Sequence, residues 1–381
     1  MIQTFFDNFS PQNNALIWLI GAFALAFVIA HQTFPSILYV TMRKRLMDVP
    51  DSRSMHIDKT PTLGGIGIFF SIVVVMTTTG AMLNTKLLLL VMGGLTILFF
   101  LGLKDDLTVL SARNKFIGQL FAAVLLIVFT DTRIIGFSKI FGVEELPYWI
   151  SIFFTLFVYI LIINAYNLID GVDGLAGSVG LVISAVFLVL FYNSGNLSLA
   201  TISVALIGAL LAFLRLNMSA RRKIFMGDTG SMIVGFLLAF FTISFISQSQ
   251  TNVDSEYFRA SPALALAMLF YPLMDTFRIF FIRIFVLKQS PFKADKNHIH
   301  HRYIQMGYTH LQTTFIIVIT NLIVVLIAFN MLHLNLNMQI GLLLLYGTIL
   351  FFAPIIFKRK FHTFKKKREL SLNGRRSSAV K

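Results

Sequence analysis

Four oxygen-bearing side chains recur at every third position in the segment NAYNLIDGVDG (164–174): Asn164, Asn167, Asp170 and Asp173. Carboxylate and carboxamide oxygens are hard ligands suited to Mg²⁺, which takes one or two protein carboxylates and leaves other positions to phosphates and water. On a continuous helix the first three would share a face, although Gly171 and Gly174 loosen the backbone there. Asp105 and Asp106 are adjacent, and two neighbouring carboxylates repel unless a cation or a shared proton relieves them. Asp228 lies between Gly227 and Gly230 just before another apolar run, where a helix N-terminus favours an anion. Its plainer reading is a helix cap, as a solvated loop pair is for the Asp dipeptide. His298, His300 and His301, with Lys296 and Arg302 alongside, suit a phosphate-gripping loop better than a transition-metal site. Carboxylates for a divalent cation and cations for phosphate oxygens together point to phosphoryl transfer. With no cysteine in the chain, thiol chemistry is excluded, and no serine triad is apparent.

The elements that must position these groups are membrane spans. Of 381 residues, 56% are hydrophobic and 13% charged, which no ordinary soluble domain matches. The pattern predicts an all-α polytopic membrane protein of about eleven transmembrane helices, near 14–41, 64–83, 87–103, 116–130, 148–163, 175–192, 197–214, 231–247, 262–285, 313–332 and 338–357. Residues 1–357 read as a single transmembrane catalytic domain and 358–381 as a basic, disordered cytoplasmic tail. Residues 1–14 carry no Lys or Arg, so the first span is expected to be retained rather than cleaved as a signal peptide.

Most of the 32 Lys and Arg residues fall in alternate loops, around 43–59, 104–115, 215–223 and 288–302, and in the tail. Lys86, Arg133, Lys139 and Arg259 are left on the other face. The bias puts the N-terminus outside and the C-terminus in the cytoplasm. It also places Asp105, Asp106, Asn167, Asp170, Asp173, Asp228 and the histidines together on the cytoplasmic face, although none of them was used in the count. The net charge of +15 is then a membrane-topology property suited to lipid headgroups and anionic substrates, not to nucleic acid. Asp275 and Arg278, inside the ninth span, are expected to pair and neutralise each other.

At KTPTLGG (59–65), LKDD (103–106), NAYNLIDGVDGLAG (164–177), FMGDTGS (225–231) and HIHHRY (298–303), the chain resembles the polyprenyl-phosphate N-acetylhexosamine-1-phosphate transferase family. The resemblance covers most of the chain, with five motifs in order. It implies attack by undecaprenyl phosphate on the β-phosphate of a UDP-sugar, at the inner (plasma) membrane. It also implies that Asn167 and Asp228 contact Mg²⁺, or Mn²⁺ in its place, with catalytic Asp105 and Asp106 near the reacting phosphates. Substrate-binding roles follow for Lys59 at the lipid phosphate, for Asn164, Asp170 and Asp173, for Phe225 stacked on uracil, and for His298, His300, His301 and Arg302 on diphosphate or sugar. The HIHHRY form favours UDP-GlcNAc, leaving other UDP-N-acetylhexosamines and UDP-MurNAc-pentapeptide as alternatives. Membrane lipids and a second copy of the chain complete the expected partners. A different class of answer, an ion-coupled transporter, requires polar residues at mid-span, where only Asp275 and Arg278 plainly qualify.

Overall fold

The computed structural model of the chain describes residues 10–44, 47–48, 60–137, 140–219, 222–251, 256–290 and 297–356. Lys59 and the basic tail lie outside the described residues. Ten helices among those described are long and apolar enough to cross a bilayer. They begin with α1 Ala15–Lys44, α2 Gly64–Met82, α3 Thr85–Thr108, α4 Ala112–Thr130 and α5 Tyr148–Leu168, followed by α6 Leu175–Asn193, α7 Leu197–Asn217 and α8 Gly227–Ser249. After them come a bent pair, α9 Ser261–Met268 and α10 Phe270–Val286, and the short α11 Ile299–Gln305. The last two are α12 His310–Asn330 and α13 Leu336–Ile356. A two-residue antiparallel pairing joins β1 Met47–Asp48 to β2 Thr60–Pro61.

Helix starts are fixed by short polar side chains that take an otherwise unpaired N–H. Asn84 accepts from Leu87 N–H at 3.1 Å, Asn196 from Leu199 N–H at 3.1 Å, and Thr309 with Gln312 closes a reciprocal capping box at the start of α12. α8 has no amphipathic face: every residue from 229 to 246 is buried. A helix apolar all round belongs at the centre of its bundle, and α8 packs there against α2, α3, α5 and α6. This central position puts its first turn, with Asp228, in the middle of one end of the bundle. The carboxyl ends of α3, α5 and α7 and the amino ends of α2, α4, α6 and α12 surround it.

The expected ninth span is broken. α9 and α10 meet at 75° around Leu269, so ten straight helices and one bent pair stand where eleven spans were expected. Pro272 supplies no N–H, and a kink in lipid must re-satisfy the groups it frees. Asn321 of α12 does so from the side: its Oδ1 accepts Tyr271 N–H and its Nδ2 donates to Met268 C=O, both at 3.1 Å. Asn321→Leu would strand both groups in a buried position. We expect it to cost about 2–4 kcal/mol, measured as a lower midpoint for loss of monodisperse protein on heating in detergent. An unchanged midpoint would mean the bend is held by other contacts.

Candidate active site

Three of the acidic motifs meet at the first turn of α8. Gly227 has φ +71°, a left-handed turn that glycine adopts freely, and the next two residues are gripped by Asp106. Asp106 Oδ1 accepts Asp228 N–H at 2.7 Å, and its Oδ2 accepts both Thr229 N–H at 3.1 Å and the Thr229 hydroxyl at 2.5 Å. Gly102, one turn earlier on α3, lies so close to the Thr229 backbone that a Cβ would collide with it. Asp106 is therefore a cap delivered to α8 from a different helix.

Asp228 turns its carboxylate the other way. Asn167 Nδ2 donates to its Oδ1 at 2.6 Å and to Ser231 Oγ at 2.7 Å, while Lys115 Nζ donates to its Oδ2 at 3.0 Å. The same ammonium pairs with Asp105 Oδ2, and Asp105 Oδ1 accepts Leu110 N–H at 2.5 Å. The side chain of Asp228 is 32% exposed and that of Asp105 only 2%. A ligand can reach Asp228 directly and Asp105 only through Lys115.

Asp170 follows the end of α5 and is half-buried. Among the described residues its carboxylate has no hydrogen-bond or cationic partner. Desolvation first, then the nearby charges of Asp228, Asp106 and Asp173, hold its pKa well above the usual carboxylate range. Lys115 pairs with Asp105 and Asp228, while the crowding of neighbouring carboxylates makes Asp170 the member of the cluster most ready to hold a proton until a cation approaches. The Asn167 carbonyl oxygen is also without a partner among the described residues, where only its amide NH₂ bonds, to Asp228 and Ser231. No three acidic or imidazole side chains among the described residues converge into a complete metal cage. One or two carboxylates plus a carboxamide oxygen fit Mg²⁺ that completes its shell with phosphate and water.

The second half of NAYNLIDGVDG is anchored rather than free. Asp173 Oδ2 accepts from Lys223 Nζ at 2.5 Å and lies 3.0 Å from His310 Nδ1. Burial raises its pKa, but the bonds to His310 and Lys223 outweigh that and hold it below the usual value. Asp173 C=O accepts from the Thr314 hydroxyl, and Gly174 N–H donates to Asn217 Oδ1 at 2.6 Å. Lys223 Nζ stands 5.5 Å from the centre of the half-buried Phe225 ring. Phe225 N–H donates to Pro61 C=O at 2.7 Å, and Gly64 N–H returns to Phe225 C=O at 2.9 Å, so KTPTLGG and FMGDTGS are one backbone unit.

The histidine segment docks on the same loop. A Cβ added at Gly171 would stand 3.1 Å from His300 Nε2 and 3.9 Å from His301 Cε1. Asp275 orders the segment from α10: its Oδ1 accepts Ile299 N–H at 2.9 Å and Arg278 Nη2 at 3.1 Å, and its Oδ2 lies 2.8 Å from His298 Nδ1. Arg278 also donates to Asn297 C=O. The expected Asp275–Arg278 pair exists and caps α11 as well. Arg302, half-buried, follows one turn on in α11. Asn164 is turned away from the cluster, donating to Gln119 Oε1 and to Ile160 C=O at 2.8 Å each. Because α5 ends at Leu168, the shared face expected of Asn164, Asn167 and Asp170 stops short of Asp170.

His300 Nδ1 is 3.1 Å from Tyr271 Oη, and burial lowers its pKa to about 3 against the partial opposition of Asp275. It is neutral at physiological pH. A histidine whose native pKa lies below its unfolded value of ~6.5 contributes stability that is complete above that value and is lost as pH falls towards 3. The loss should approach ~1.4 kcal/mol per pH unit below pH 6. Thermal midpoints at pH 7, 6 and 5 are expected to fall more steeply for the natural protein than for His300→Gln. Parallel slopes would place the acid sensitivity elsewhere.

Four participants were not identified as site residues in the sequence: Lys115, Lys223, His310 and Thr229. The two lysines were visible only as part of the charge bias. His310 lies beyond the last motif and gave no signal. Thr229 sits within FMGDTGS and could have been found from its neighbour Asp228.

A membrane bundle with an acidic, phosphate-compatible site at one end defines a class, and residues 88–246 match the model of glycosyl transferase family 4. The chain is 34% identical over 291 residues to decaprenyl-phosphate N-acetylglucosaminephosphotransferase of Mycobacterium tuberculosis (strain ATCC 25618 / H37Rv), covering 70% of this chain and 71% of that one. It is 31% identical over 284 residues to undecaprenyl-phosphate alpha-N-acetylglucosaminyl 1-phosphate transferase of Escherichia coli (strain K12), covering 73% and 74%. The chain belongs to the polyprenyl-phosphate N-acetylglucosaminyl-1-phosphate transferase family and is a multi-pass membrane glycosyl-1-phosphate transferase.

Proposed function

We propose that this enzyme transfers N-acetylglucosamine 1-phosphate from UDP-N-acetylglucosamine to undecaprenyl phosphate, releasing UMP, at the cytoplasmic face of the plasma membrane. The carrying observation is the acidic cluster at one end of the bundle, where Lys115 pairs with Asp105 and Asp228, Asp106 holds the Asp228 backbone and Asp170 feels the charges of both Asp228 and Asp106. The names of the relatives support the sugar and the acceptor. The Lys and Arg bias supports the side of the membrane.

In the reaction an oxygen of the lipid phosphate bonds to the β-phosphorus of the nucleotide sugar. The bond from that phosphorus to the bridging oxygen breaks, and UMP leaves with the electron pair. Asp228 and the Asn167 carbonyl, with Asp170 in support, would hold Mg²⁺, which when bound would neutralise charge on the diphosphate. Mn²⁺ would satisfy the same oxygen donors. Lys115 is placed to share its charge between Asp228 and an incoming phosphate oxygen, and Asp105 keeps it there. Lys223 and Phe225 offer a cation and a ring face to the nucleotide, while His300, His301 and Arg302 border the sugar-diphosphate end. A phosphate monoester with a second pKa near ~6 is already largely dianionic at pH 7. Positioning and charge, rather than a strong base, then provide most of the acceleration.

The test supplies purified full-length protein with Mg²⁺, undecaprenyl phosphate and a panel of UDP-sugars, and measures UMP release. UDP-N-acetylglucosamine is expected to be the best donor, with activity lost on chelation and restored by Mg²⁺. A different preferred sugar would overturn the donor assignment. Ion flux in proteoliposomes without UMP release would overturn the reaction.

A further inference from the structure

At the end of the bundle opposite the acidic cluster, a pocket of about 310 Å³ opens between the starts of α3 and α7 and the ends of α4 and α8. Among the described residues no acidic side chain lines it. Its polar lining includes Asn84, Lys86, Thr132, Asn196, Ser244 and Ser247. Asn84 and Asn196 each spend the carbonyl oxygen on their own helix start, which leaves their NH₂ groups as donors. Lys86 adds an exposed cation on a face where the sequence leaves few. The two helix amino ends are matched by two carboxyl ends, so Lys86 and the amide groups, not the helix dipoles, set the sign of the pocket.

Ser244 distinguishes this pocket from a chance gap between helix ends. It is only 4% exposed and lies within the most enclosed helix of the bundle. Among the described residues its hydroxyl has no partner. Several buried hydroxyls in these helices return to a carbonyl one turn back, as Thr242 does to Leu238 at 2.7 Å and Ser203 to Leu199 at 2.9 Å; Ser184 and Thr313 do not, but neither lines this pocket. The Ser244 hydroxyl borders the cavity, where the Asn84 and Asn196 amides and Lys86 add donors with no fixed negative charge among the described lining.

We propose that this pocket binds a phosphate oxyanion at the membrane surface opposite the catalytic site. Lys86 and the Asn amides would hold its outer oxygens and Ser244 its innermost one. Phe129, 59% exposed beside the opening, offers an apolar surface for an acyl chain. A phospholipid headgroup and free phosphate share the oxyanion chemistry and differ in that contact.

The full-length protein, delipidated in detergent, would be titrated separately with phosphatidylglycerol, inorganic phosphate and phosphate-free diacylglycerol while its thermal midpoint is followed. Protection by phosphatidylglycerol alone identifies a lipid source, and protection by inorganic phosphate at comparable concentration a free anion. In either case Lys86→Ala should raise the half-saturating concentration about tenfold, and Ser244→Ala should raise it in the same direction. Both variants should retain the natural rate of UMP release, since neither side chain is near the acidic cluster. Equal protection by diacylglycerol, protection by none of the three, or unshifted titrations in both variants would overturn the proposal. Should Ser244→Ala prove unstable, the exposed Lys86→Ala variant decides the matter alone.

Discussion

Asp228→Asn is expected to lower UMP release by at least about 10³-fold while the protein still folds and elutes as the natural chain does. Asparagine is nearly isosteric, and its carbonyl oxygen can still accept from Asn167. Its NH₂, however, replaces the oxygen that accepts from Lys115 at 3.0 Å, setting two donors face to face. Among the described residues Lys115 is then held by Asp105 alone, and the cluster loses a carboxylate that is both fixed and reachable, as the buried Asp105 is not. If Asp228 holds the divalent ion, raising Mg²⁺ should recover little of the loss. Near-normal initial rates at saturating Mg²⁺ would reject that role. Asp170→Asn separates the two influences: it removes charge without disturbing any hydrogen bond among the described residues. Its defect should therefore appear as a higher Mg²⁺ requirement with a smaller change in maximal rate.

The approximate spans were readable from hydropathy because a lipid-facing chain has little freedom in composition. The motifs stood out because carboxylates at the ends of apolar runs are expensive. Their convergence followed from counting loops, and the structure does bring LKDD, NAYNLIDGVDG and FMGDTGS to one helix start. Other features left no trace of this kind. Lys115 and Lys223 looked like any cation in a basic loop, because positive-inside bias hides a lysine that has a specific partner. The break at Leu269 lay inside a continuous apolar run. Pro272 marked its neighbourhood, but the group that makes it tolerable, Asn321, is some 50 residues away in the chain. Asn164 matched the spacing of the acidic segment and yet faces Gln119 on α4. Periodicity identifies a face, and only packing decides what that face meets. The division of labour between Asp105 and Asp106 was equally hidden, since adjacent identical residues have the same chemistry until their surroundings differ.

That division carries the second large effect. Three of the four lone-pair positions of Asp106 are occupied by Asp228 N–H, Thr229 N–H and the Thr229 hydroxyl, so its structural work is to set the start of α8. Asp106→Asn can keep one oxygen there but turns an NH₂ towards the remaining donors. A loss of about 2–4 kcal/mol and a fall in kcat of about 10²-fold or more are expected together. Gly227→Ala should act through the same contact from the opposite side. Its Cβ would collide with the Thr62 carbonyl oxygen and stand 2.8 Å from both Asp106 oxygens, on a residue whose φ of +71° already disfavours a side chain. Because both substitutions disturb the Asp106 contact, and only Gly227→Ala also meets the Thr62 carbonyl, the double variant should be less impaired than the two single effects combined, in both thermal midpoint and kcat. Were Asp106 instead the proton acceptor of the reaction, Asp106→Asn would flatten the acidic limb of the kcat profile without lowering the midpoint. Its effect would then multiply with that of Gly227→Ala, because a proton-transfer defect and a displaced helix start are separate injuries.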